Sequence, residues 1–253
     1  MKFEVLRSFL DSKVIQYNSI TFIDSDPIQL PHLFSKKEDI EIIAFLISTI
    51  AWGNRKIIIQ NGHQLLNIMG YQPLDYILNY QPTSAKDLKF VHRTFNSIDL
   101  DFFIRGLQNI YKKNLRLEHM FQKHEHIDGV KGRIINFRTN FFQTAHSFRS
   151  EKHISNPLKN SAAKRINMFL RWMCRKDNCG VDFGIWDSIP MNELMIPLDV
   201  HTGNISRKLE LLKRTQNDWK SLEEIMIILR KIDPSDPAKY DFALFGLGAF
   251  ENF

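Results

Sequence analysis

The sequence predicts an all-α protein, a bundle of about ten helices. Three observations carry that expectation. Apolar residues recur at helical spacing through most of the chain, and no sustained two-residue alternation appears. Of 253 residues, 43% are apolar and 20 are Phe, enough for a large buried core and too many for a disordered chain.

The elements follow in order. Residues 39–51, DIEIIAFLISTIA, are apolar almost all round, which places that helix at the centre of the fold. Trp52-Gly53-Asn54 breaks it, and a second helix over 55–69 turns Ile58, Leu65, Leu66 and Met69 inward. Pro73 and then Gln81-Pro82-Thr83-Ser84 punctuate the next stretch. Residues 85–123 read as two or three short helices around Phe90 and Phe95, over 102–111 and over 117–121. Residues 129–148 give one more, through Val130, Ile134, Phe137 and Phe141. Short strands are expected at most near 19–23 and 180–186.

Composition narrows the function classes. Two Cys exclude a disulfide scaffold, and Cys174 and Cys179 lack the paired spacing of a zinc site, so no metal is expected. The opening MKFEVLRSFLDSK carries Glu4 and Asp11 where a signal peptide needs an uninterrupted apolar stretch. No apolar run approaches the ~18 residues of a membrane span. The expectation is a soluble, cytoplasmic monomer. The formal charge is +6, and residues 131–231 hold 18 basic against 10 acidic side chains. That stretch is where a polyanion would bind, unless it is only a solvated surface.

Three segments carry chemistry. In SAAKRINMFLRWMCR, Ser161 is a plausible N-cap, and Ile166, Phe169, Leu170 and Met173 gather on one face. Lys164, Arg171 and Arg175 fall on the opposite face, as a phosphate-binding stripe or as the wet side of an amphipathic helix. In IPLDVHTGNISRKL, Asp199 stands where a helix should begin, buried on the side of Ile205, Leu209 and Leu212. It is either a cap or a carboxylate held ionised for catalysis, and His201 is either structural or catalytic. In DPSDPAKYDFALFGLG, an apolar helix ends in Gly246 and Gly248, which permit close approach of another backbone.

Read together, IIAFLISTIAWGNRK, AAKRINMFLRW, PLDVHTGNISRKLELL and YDFALFGLG resemble the helix-hairpin-helix DNA glycosylase superfamily, which includes endonuclease III. A closer likeness is to a bacterial family of unknown function that carries the same KRINMFLRWM, PLDVHTG and KYDFALFGLG strings. The superfamily resemblance implies a two-lobed bundle, with a central lobe over 40–163 and a second lobe from 1–39 plus 164–253. It places Lys164 and Asp199 in the catalytic positions and damaged duplex DNA as the partner. By position, Trp52, Asn54 and Arg55 are candidates for the wedge that fills the gap left by a flipped base. Trp172 and Trp186, with Phe183, could wall the base pocket. Arg55, Arg171, Arg175, Arg207 and Lys208 are the phosphate-contact candidates.

The chain departs from that superfamily in three places. The hairpin at 156–161, NPLKNS, lacks the Gly-x-Gly whose amides hold a DNA phosphate. The 35-residue step from Lys164 to Asp199 is longer than in endonuclease III and nearer to archaeal 8-oxoguanine glycosylases. The C-terminal four-cysteine signature is missing, so neither an iron–sulfur cluster nor any other cofactor is expected.

The implied chemistry sets requirements. A carboxylate beside the sugar stabilises the positive charge that develops as a base leaves, and an amine attacking C1′ forms a Schiff base. A free lysine titrates near ~10.4, and a helix start together with a neighbouring Arg165 would favour its neutral form. The alternatives are a non-catalytic nucleic-acid-binding protein on the same fold and a helical protein-interaction scaffold.

Overall fold

The computed structural model describes residues 2–82, 88–251 and 253. The break expected at Thr83-Ser84 and the start of the helix expected from residue 85 lie outside them. In chain order the α-helices are α1 (Phe3–Tyr17), α2 (Lys37–Ile50), α3 (Arg55–Ile68), α4 (Pro73–Asn79) and α5 (Ser97–Tyr111). They continue with α6 (Gly129–Phe141), α7 (Lys164–Cys174), α8 (Val200–Lys208), α9 (Trp219–Ile232) and α10 (Tyr240–Ala249). Short 3₁₀ turns join many of them, and the fold class is all-α. Among the described residues, no helix is long and apolar enough to cross a membrane.

The chain forms two compact units, one from 25–155 and the other from 1–24 with 156–253. Both boundaries fall earlier in the chain than those the resemblance implies.

The first unit is built around α2. Its Ile42, Ile43, Phe45, Ile47 and Ile50 are fully enclosed, as an all-round apolar helix requires. Phe45 meets Phe103, Phe137 and Phe141 with ring centroids 5.5–5.6 Å apart. Burying Glu41 in this helix demands a partner, and the Tyr111 hydroxyl donates to it at 2.9 Å. A two-stranded hairpin, β1 (Val91–His92) and β2 (Phe95–Asn96), precedes α5. Strands of two residues are too short to leave an alternation in the sequence. The helix expected over 129–148 ends instead at Phe141, and a separate 3₁₀ turn follows over Phe148–His153.

The second unit is held by α10, which packs against both α1 and α8. A Cβ at Gly246 would stand 2.1 Å from the Tyr17 ring. One at Gly248 would stand 3.1 Å from His201 Cβ and 3.2 Å from Ile205. The two late glycines therefore serve close helix packing. Helix α1 has three buried apolar positions, Leu6, Leu10 and Val14, too sparse a stripe to declare itself in the sequence.

Neither expected strand forms. Residues 19–23 lie largely within a 3₁₀ turn, Ile20–Ser25. Residues 180–186 run irregularly because their amides complete the end of α7. Phe183 N–H donates to the Trp172 carbonyl at 2.8 Å, and Trp186 N–H donates to that of Met173 at 2.9 Å. The unsatisfied carbonyls of a helix end thus take the donors that a strand would have used.

Candidate active site

Lys164 is the first residue of α7. It follows Ala163, whose backbone is left-handed (φ 48°, ψ 40°). Ser161 is not the helix cap; its hydroxyl accepts from Ala163 N–H at 3.3 Å and stabilises the turn before the helix. Earlier in the same turn, Asn160 is also left-handed (φ 60°), a conformation that Asn tolerates where the sequence lacks a glycine. Its side chain donates to Asp218 at 2.8 Å, and its carbonyl accepts from Trp219 N–H at 3.0 Å. Asp218 in turn caps α9 through Ser221 N–H. The segment leading into Lys164 is therefore fixed to the start of α9.

Asp199 caps α8, accepting from Thr202 N–H at 2.9 Å. Its carbonyl accepts from the Asn217 side chain at 3.0 Å. Asn217 can come this close because residue 203 is glycine: a Cβ there would lie 2.5 Å from Asn217 Oδ1. Arg207 holds the Asn217 loop in place, donating to Asn217 Oδ1 and to the carbonyls of Arg214, Thr215 and Gln216.

These two helix starts bring their charges together. Lys164 Nζ lies 3.0 Å from Asp199 Oδ2, with 35% of the lysine side chain and 16% of the aspartate exposed. Burial alone would raise the Asp199 carboxyl. The Lys164 ammonium and the Thr202 N–H outweigh it, holding the group below its usual range and ionised at neutral pH. The pair offers a carboxylate and an amine, side by side and open to solvent.

The basic face of α7 is a different matter. Arg171 and Arg175 are only 3% and 2% exposed. Arg171 contacts Asp182 at 3.1 Å and Asp241 still more closely. Arg175 reaches Asp177 at 2.7 Å, Asp182 at 3.1 Å and Asp236 at 2.9 Å. Helical spacing identified one face correctly but not what covers it, and buried carboxylates do. These two arginines are core ion pairs, not surface phosphate contacts. Arg207 is committed to its loop, whereas Lys208 is exposed and donates to the Phe253 carbonyl at 2.7 Å.

The aromatic candidates divide similarly. Trp172 and Trp186 are fully buried, so they belong to the core, while Phe183 is half-buried. His201 is exposed on α8, and its Cβ backs onto Gly248. Trp52, Asn54 and Arg55 lie in the other unit. There Trp52 is half-buried with its ring edge-on to His92 at 4.9 Å, and its carbonyl is 3.1 Å from His92 Nε2. Asn54 caps α3 through Ile57 N–H. Gly53 between them has φ +103° and lies under the Arg93 guanidinium.

Sequence reasoning passed over Asp182, Asp236 and Asp241. Asp241 had left a signal: a lone acid next to the apolar run Phe242–Leu244 must be paired if that helix is buried. Among the described residues, no cluster of His, Cys, Asp or Glu is arranged to hold a metal ion.

No curated protein and no solved structure matches the chain. Residues 26–250 match the family described as Protein of unknown function (DUF2400). That match spans most of the 253 residues, and the chain belongs to that family.

Proposed function

We propose that this protein is a DNA base-excision glycosylase with lyase activity, acting on a flipped damaged base through Lys164 and Asp199. The observation that carries the reading is the 3.0 Å approach of these two side chains, 35 residues apart in the sequence and each at the start of its own helix. Asp199 is ionised, as a group stabilising an oxocarbenium-like sugar must be. The Lys164 nitrogen then bonds to C1′ as the bond from C1′ to the base breaks. The departing base takes up the proton that the ammonium gives up, and sugar-ring opening leaves a Schiff base on Lys164. Exposed Lys159 and Lys208, rather than the buried Arg171 and Arg175, are the phosphate-contact candidates.

The test is borohydride trapping on abasic-site DNA. Wild-type protein yields a covalent adduct, and Lys164→Ala yields none. Adduct formation that persists in Lys164→Ala rejects the assignment. The glycine-free hairpin supports a second reading, a non-catalytic nucleic-acid-binding protein on the same fold. Tight binding of damaged oligonucleotides with no adduct at any pH selects it.

A further inference from the structure

On the buried side of α7, two guanidinium groups face four carboxylates. Arg171 divides itself between Asp182 and Asp241, and Arg175 is shared by Asp177, Asp182 and Asp236. If every member were ionised, the cluster would hold two uncompensated negative charges, with Asp182 wholly enclosed. Charge of that kind in a low-dielectric interior is relieved by protonating a carboxylate.

Burial pushes up both Asp236 and Asp241, and of the two it is Asp241 that also feels the charges of Lys164 and Asp199. It stands on the first turn of α10, 5% exposed, and the guanidinium it contacts is also claimed by Asp182. That guanidinium also lies over the neighbouring Phe242 ring, 4.3 Å from its centroid, and both side chains are buried. The other charges around Asp241 are those of the candidate active site. Lys164 stands seven residues, or two turns, before Arg171 on the same side of α7. Asp199 heads α8, which packs on α10. From α1, Asp11 is turned to Tyr240 at 2.8 Å and to Lys239 at 3.6 Å.

We propose that Asp241 is a second functional carboxylate of the Lys164–Asp199 site, a positioning residue that gains and loses a proton and so sets the negative charge behind the pair. Burial pushes its carboxyl up, to about 7; Arg171 pulls it down, Asp199 and Asp182 push it up again, and Lys164 opposes them. Below neutrality the pair is backed by a neutral acid, and above neutrality by a second anion. The electrostatic part stands on the cluster itself; the catalytic part rests on the glycosylase reading.

The electrostatic part is tested without DNA. Lysines are reductively methylated with ¹³C-formaldehyde, and the Lys164 resonance, identified by its loss in Lys164→Gln, is followed by NMR through a pH titration. In the wild type its shift passes through an inflection near neutrality, which Asp241→Asn removes. A wild-type titration without that inflection overturns the proposal, whether or not the Asn variant folds; so does an inflection that survives Asp241→Asn. In the trapping assay, the wild-type and Asp241→Asn profiles run together below neutral pH, where Asp241 carries its proton, and separate severalfold above it, where Asp241 is ionised. Parallel profiles in the two proteins overturn the catalytic part. Because the NMR readout involves no substrate, a protein that forms no adduct but keeps the inflection loses the glycosylase assignment and retains the titrating second carboxylate.

Discussion

In an unfolded chain Asp241 would titrate near ~4, but folding places it at about 7. The folded state therefore binds more protons than the unfolded one between those values, and stability falls as pH rises through that window. The shift is worth at most about 4 kcal/mol. The expected outcome is a urea midpoint lower at pH 8 than at pH 5, with a smaller drop in Asp241→Asn. Equal drops in the two proteins would place the proton elsewhere. Asp99, in the other unit, has the opposite sign. Burial raises it, but His153, Ser150 and the Asn96 N–H more than compensate and hold it well below the usual range. Its contribution is present above that range and is lost on acidification. The sequence marked Asp199 because it stands where a helix begins. It could not mark Asp182, whose role depends on two arginines from another element.

At the scale of elements, the approach to α7 contains two left-handed residues, neither of them glycine. Asn160 recovers part of that cost through its bond to Asp218. Ala163 has no polar group to do the same, and its Cβ costs about 1–2 kcal/mol in this conformation. Glycine loses more backbone entropy, so Ala163→Gly should stabilise the protein by about 0.5–1 kcal/mol, read as a higher denaturant midpoint. A lower midpoint would mean that the Ala163 methyl, which is buried, contributes more by packing than it costs in strain. The long helices α3 and α5 were legible from their own periodicity, and α2 from its unbroken apolar run. The β1–β2 hairpin and α1 were not: the hairpin is short, and the apolar stripe of α1 is sparse. The irregular run over 180–186 exists to serve the carbonyls of α7, a demand set by a different segment.

Across the whole molecule, the basic excess over 131–231 is distributed in a way that composition cannot show. Arg171 and Arg175 are enclosed by carboxylates and Arg207 by a loop, while Lys159 and Lys208 remain exposed. Substituting Ala for Arg171 or Arg175 leaves buried carboxylates uncompensated and should lower stability by about 3–5 kcal/mol. Lys208→Ala should leave the unfolding midpoint nearly unchanged and reduce the salt slope of DNA affinity by about one unit. The reverse pattern in denaturation and salt-titration experiments would contradict this division of roles. Charge count thus predicts how strongly a chain is drawn to a polyanion, while burial decides which of its charges can reach one.

The sequence by itself determined the helical class, the buried course of α2, the helix start at Asp199 and the paired glycines of α10. Each of these is written in residues close together in the chain, as a period, a cap or a missing side chain. Only the tertiary structure decided that Lys164 meets Asp199, that Arg171 and Arg175 face inward, and that Asp241 is buried against Arg171. Those facts depend on which segments pack together, and a charge on a helix face carries the same local signature whether water or a carboxylate covers it.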